Sequence, residues 1–162
     1  MTTQKKITPA NALVKLQELC ARSEQCSCEI LSRLYKWGIN GTVASKILAL
    51  LKRDRYVDDR RFASAFVRDK LVFNRWGRAK IKIALIQKRL DGDIIAEAIA
   101  EIDPDEYRTA LIEVLSAKAR TLPETQSYES RNRLLRHAAS RGFEATLIID
   151  IIKQPSLWNQ AR

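Results

Sequence analysis

Residues 78–102 read RAKIKIALIQKRLDGDIIAEAIAEI, and the spacing of their apolar side chains decides the fold. Isoleucine and leucine recur at three- and four-residue intervals, the period of a helix with a buried face, and the segment breaks once, around Asp91 and Gly92. Shifted by 51 residues, Ile30, Leu34, Ile39, Val43, Leu48 and Leu51 fall over Ile81, Leu85, Leu90, Ile94, Ile99 and Ile102. A further shift of 53 places Leu134, Ala138, Phe143, Leu147 and Ile152 over Ile81, Leu85, Leu90, Ile94 and Ile99. Every pair is apolar on both sides, which is the mark of a tandem repeat.

Five glycines, four prolines and helical periodicity almost throughout argue against an all-β chain. The pattern predicts nine helices, near 9–22, 27–37, 41–54, 58–74, 78–90, 92–102, 104–120, 127–140 and 143–153. The expected fold is therefore all-α, with three tandem three-helix repeats forming an elongated, curved molecule. An N-terminal tail covers 1–8, repeat 1 covers 9–55, repeat 2 covers 56–103, repeat 3 covers 104–154, and a C-terminal tail covers 155–162. One compact nine-helix domain is the competing arrangement. Gly38 and Gly142 stand where a left-handed residue closes the second helix of a repeat; Arg89 stands there in repeat 2, where Gly92 is expected to take up the turn instead.

The 162-residue chain carries 29 Lys and Arg against 19 Asp and Glu, a net charge of +10. Its pI near 9.8 points to an acidic partner, either nucleic acid or an acidic protein surface. Repeat 1 with its tail has ten basic against four acidic residues, while 68–89 holds eight basic residues against Asp69 alone. No apolar run approaches the roughly 20 residues of a membrane span, and the N-terminus lacks the apolar segment of a secretory signal, so a cytoplasmic chain is expected. Cys20, Cys26 and Cys28 match no zinc or redox spacing and read as reduced thiols.

On a wheel of residues 58–75, Phe62, Phe66 and Phe73 fall within an arc of about 40°, the expected buried stripe. Arg61, Arg68 and Arg75 repeat every seven residues on another face, a ladder roughly 21 Å long suited to phosphates or carboxylates. Along 78–90, Arg78, Lys82 and Arg89 share a strip between two apolar arcs, one of Ile81, Ala84 and Leu85, the other of Ile83, Ile86 and Leu90. That helix is expected to be buried on two sides. Lys52 and Arg53 are further candidates for the same partner. Asp58 and Asp59 read as N-caps, Trp76 as a core or inter-helix anchor with stacking on a nucleobase as the competing use, and Gly77 as the joint.

His137 lies among Arg133, Arg136 and Arg141 with no assignable catalytic partner. The chain also lacks the phosphate-binding, dinucleotide-binding and zinc-protease motifs. These residues suggest neither catalysis nor a cofactor.

Residues 53–90, RDRYVDDRRFASAFVRDKLVFNRWGRAKIKIALIQKRL, resemble the signature region of the RecX family, regulators of RecA recombinase. The resemblance rests on Tyr56, Val57, Asp58, Asp59, Arg61, Phe62 and Ala63, then on Gly77, Arg78, Ile81 and Leu85. It extends through Leu13, Leu16, Leu34, Trp37 and Gly38 and weakens in repeat 3. Two positions depart from the family pattern: Arg55 and Arg89 stand where glycine is common. The resemblance implies a non-enzymatic monomer without cofactor that binds the groove of the RecA–DNA filament and restrains the recombinase. Lys52, Arg53, Arg61, Arg68, Arg75, Arg78, Lys82 and Arg89 would then attach to filament or to single- or double-stranded DNA, without sequence preference. A stand-alone helical DNA-binding protein and a helical protein adaptor are the alternatives.

Overall fold

The computed structural model describes residues 7–123 and 126–160. Ten helices form, and among the described residues there is no strand: α1 (Pro9–Arg22), α2 (Ser27–Lys36), α3 (Gly41–Arg53), α4 (Asp59–Val72), α5 (Arg78–Gln87), α6 (Gly92–Ala100), α7 (Pro104–Ala119), α8 (Tyr128–Ser140), α9 (Ala145–Ile152) and α10 (Pro155–Gln160). No described helix is long and apolar enough to cross a membrane. The starts are chemically fixed. The side chains of Thr8, Asp58, Asp103 and Ser127 each accept from a first-turn amide, and Pro9 and Pro104 open helices whose first N–H has no partner anyway.

The repeat pattern is visible in burial. Ile30, Ile81 and Leu134 are fully enclosed at equivalent places, as are Leu34, Leu85 and Ala138. Enclosing each isoleucine or leucine stabilises the fold by about 1.5–3 kcal/mol. The loop after each of these second helices turns through a left-handed residue, Gly38 (φ 79°), Arg89 (φ 56°) and Gly142 (φ 92°). Arg89 itself therefore makes the turn expected of Gly92, which instead begins α6.

Two apolar cores run through the chain. The first joins Ala12, Leu16, Ile30, Leu34, Ile39, Ala44, Ile47, Leu51 and Val57 of α1–α3 and the segment after them. The second is continuous from Phe62 of α4 to Trp158 of α10, so the second and third helix triplets share one interior. Cys26, at the start of α2, reaches across into it.

Three expectations need correction. The segment 155–162, expected as a tail, contains α10, which buries Leu157 and Trp158; the Trp158 indole N–H donates to the Ile152 carbonyl at 2.9 Å. Residues 1–6 of the expected N-terminal tail lie outside the described residues. Phe73, the C-cap of α4, is 79% exposed because the buried face of that helix is the arc of Ala63, Val67 and Leu71, with the phenylalanine arc at its edge: Phe62 is buried and Phe66 packs against the core edge. Ile83 and Ile86 are 57% and 53% exposed, so α5 is buried on one side only.

Candidate polyanion interface

The arginine ladder of α4 does not exist as a ladder. Arg61 donates through Nε to Glu24 Oε1 at 2.5 Å and through its terminal nitrogen to the Arg55 carbonyl at 3.1 Å, tying α4 to the end of α1. This pairing holds the Arg61 guanidinium pKa above its ordinary value. Arg68 is exposed in a recess walled by Glu101, Asp103 and Glu106. Arg75 lies beyond the helix in the left-handed region (φ 53°), paired with Glu113 at 2.5 Å and donating to the Val72 carbonyl.

The other basic candidates divide in the same way. Lys52 lies 3.5 Å from Asp59, and Arg53 pairs with Asp54 at 2.8 Å. Arg78 stacks 3.8 Å over the Tyr107 ring while pairing with Glu144 at 3.2 Å. Tyr107 completes this joint by donating to Glu144 at 2.6 Å and accepting from the Arg78 amide at 3.0 Å. Burial, then the hydrogen bond to Glu144, pushes the Tyr107 pKa far up. Arg68, Lys82 and Arg89 alone of the eight have no described carboxylate within 4 Å; Arg68 lies on α4, Lys82 on α5 and Arg89 in the turn after it.

What the fold does assemble is a different set. Lys70 of α4 places Nζ 4.8 Å from the Trp76 ring centroid and 5.3 Å from that of Phe66. From α5, Lys80 approaches the Trp76 ring to 4.6 Å, and Lys88 sits 5.4 Å from Phe62 and 5.6 Å from Phe66. Beside them opens a cleft of about 720 Å³ between the first and second triplets, lined by Arg33, Lys36 and Trp37 of α2 and its end as well as by Lys70 and Lys88. Of its three acids, Glu24 is taken by Arg61 and Glu29 by Lys88, leaving Asp69 against Arg33, Lys36 and Lys70.

Ammonium groups held over aromatic faces are oriented yet remain able to meet phosphate oxygens, and the rings beneath offer a surface for stacking. A wheel drawn for one helix could not reveal this set, which comes from three. Its one sequence signal is the scarcity of acids across 68–89.

The framework residues do what their types suggest, with one addition. Asp58 caps α4 by accepting from the Arg60 and Arg61 amides, both at 3.0 Å. Asp59 reaches outward instead, accepting from the Ser27 amide at 2.8 Å and its hydroxyl at 2.6 Å, so it satisfies an orphan donor of α2. Ile81 and Leu85 are fully buried, and Trp76 and Gly77 sit at the joint of α4 and α5. Cys26 is enclosed, and burial pushes its thiol up to about 11, so it remains protonated near neutrality.

These features define an all-helical protein of tandem helix triplets with a basic, aromatic surface and a positively inclined cleft between the first and second triplets. The family model described as RecX, second three-helix domain, matches residues 58–99. The regulatory protein RecX of Clostridium botulinum (strain Alaska E43 / Type E3) is 27% identical over 156 residues, covering 93% of this chain and 73% of that one. The namesake from Oceanobacillus iheyensis is 25% identical over 133 residues, 82% of this chain and 48% of its own. The crystal structure of RecX from Lactobacillus salivarius has the same fold, with a TM-score of 0.80, 19% identity, and coverage of 92% of this chain and 97% of that one. The chain is thus similar to regulatory proteins named RecX over most of its length, and its residues 58–99 match the second three-helix domain of that family.

Proposed function

We propose that this chain regulates RecA recombinase by lying along the RecA–DNA filament and restraining its activity. The observation that carries the reading is the gathering of Lys70 and Lys80 over Phe66 and Trp76, next to a cleft bearing Arg33 and Lys36. These groups face the filament's phosphates. Of the residues singled out from sequence, Lys82 and Arg89 keep charges with no described carboxylate partner for attachment, whereas Arg68 faces acids, Arg53 pairs with its neighbour Asp54, and Lys52, Arg61, Arg75 and Arg78 tie helices together through their carboxylate partners. Units in a row suit a filament because one molecule can span neighbouring protomers.

The test is cosedimentation with RecA, with and without single-stranded DNA and an ATP analogue, alongside inhibition of RecA ATP hydrolysis. The chain should pellet with the assembled filament and inhibit hydrolysis, and Lys70→Glu with Lys80→Glu should weaken both in a folded protein. Equal pelleting with DNA alone would favour a stand-alone DNA-binding protein, and unchanged inhibition by the double variant would remove this surface from the reading.

A further inference from the structure

In the second apolar arc of α5, Leu90 packs against the core but Ile83 and Ile86 remain exposed among the described residues. Ile86 forms one wall of an open groove of about 650 Å³ between α5 and α6, floored by Ile95, Ile99 and Ile102 and closed at one end by Pro104. Gly92, Ala96 and Ala100, four residues apart on α6, line it with almost no side-chain bulk. Such a row lets a second helix approach closely, because ridges at i and i+4 pack into the groove that small residues leave. Arg78 and Lys82 stand on its rim, and no carboxylate lines it.

We propose that this groove is a docking site for an amphipathic helix of a partner protein, with the helix's apolar stripe on Ile86, Ile95 and Ile99 and an acidic flank against Lys82. An exposed apolar trough with a cationic edge fits the helix-in-groove mode of recognition. It does not fit nucleic acid, whose phosphates would find isoleucine on most of the surface. Nor does it fit a second copy of this chain: a two-fold contact would set like rims face to face between molecules of net charge +10. The basic strip of α5 thereby acquires a role apart from DNA. The inference stands independently of the filament reading, because it requires only a protein partner with an acidic, amphipathic helix.

The probe is a synthetic helical peptide with leucines at i, i+4 and i+7 flanked by glutamates, and a counterpart flanked by lysines. Each is titrated into full-length chain carrying labelled isoleucine methyl groups. The glutamate peptide should shift the Ile86, Ile95 and Ile99 methyls and bind roughly tenfold more tightly than the lysine peptide. Lys82→Glu should reverse that preference, and Ile86→Ser, at an exposed position, should abolish the shifts without unfolding the protein. Equal binding of both peptides, shifts centred elsewhere, the same methyls moving with a DNA oligonucleotide, or their moving with protein concentration alone would each overturn the proposal.

Discussion

Gly77 and Gly142 meet backbone to backbone, joining the second helix triplet to the third. The Gly77 amide donates to the Arg141 carbonyl at 2.7 Å, and the Ala79 amide donates to the Gly142 carbonyl at 3.1 Å. A methyl group on Gly77 would stand 2.2 Å from the Gly142 carbonyl carbon, and one on Gly142 would stand 2.5 Å from the Lys80 amide. Neither glycine has room to yield, since the obstacle on each side is main chain. Gly77→Ala should therefore cost about 3 kcal/mol, the upper part of the overpacking range. Gly92→Ala, which meets nothing within 4 Å, should leave thermal unfolding unchanged or slightly raised. Equal melting of the two variants would show that the joint gives way.

The joint between the first and second triplets is of another kind. Asp59, Ser27, Arg61, Glu24, Lys88 and Glu29 make it largely from charged hydrogen bonds, with Cys26 as an apolar plug. Asp59→Ala leaves the Ser27 amide and hydroxyl without their acceptor and should cost about 1.5–3 kcal/mol. Hydrogen exchange should rise first in α1–α3 while α4–α10 stay protected, because the latter keep a continuous core. Uniform loss of protection would mean that the chain unfolds as one unit.

Helix positions were legible in the sequence because periodicity and caps are local, whereas charge partners were not because they are distant. Arg61 finds Glu24 37 residues away, and Arg78 finds Glu144 66 residues away. Counting acids in a local window misses such carboxylates altogether. The six-residue α10, opened by Pro155, offers too few apolar positions for a period to show in the sequence. The exposed arc of Ile83 and Ile86 has the opposite cause: the sequence shows that a face is apolar, but not whether the chain supplies its cover.

His137 gives stability a pH dependence. Burial, then Arg141, then Lys118 depress its pKa below the ordinary value of 6.5. The folded chain then binds fewer protons there than the unfolded chain as pH falls below that value. Its contribution is complete above about pH 6.5 and is lost as pH drops toward the folded-state pKa. Urea unfolding compared at about pH 7.5 and about pH 5.5 should show this loss, and His137→Gln should reduce it. An unchanged pH slope in the variant would assign the effect to other groups.

If Lys70 and Lys80 meet phosphates, replacing them changes the salt dependence as well as the affinity. Each lost contact should lower the log-log slope for single-stranded DNA by about 0.7, so Lys70→Gln with Lys80→Gln should lower it by about 1.4. Weaker binding with an unaltered slope would mean that these lysines only position Trp76, over which both sit.

Arg89 sets stability and binding against each other at one position. Its φ of 56° is unfavourable for a residue with a Cβ by about 1–2 kcal/mol and free of that penalty for glycine. Its amide donates to the Ile86 carbonyl at 2.9 Å, a bond any residue would keep, and its exposed guanidinium has no described carboxylate partner. Arg89→Gly should therefore raise the unfolding free energy by about 1 kcal/mol while weakening attachment to DNA or filament. Arg89→Ala retains the backbone strain and removes the charge, so it should weaken attachment with little gain in stability. The pair separates the two effects: if both variants bind as tightly as the parent, Arg89 is no contact, and if the glycine variant melts no higher, its backbone carries no strain.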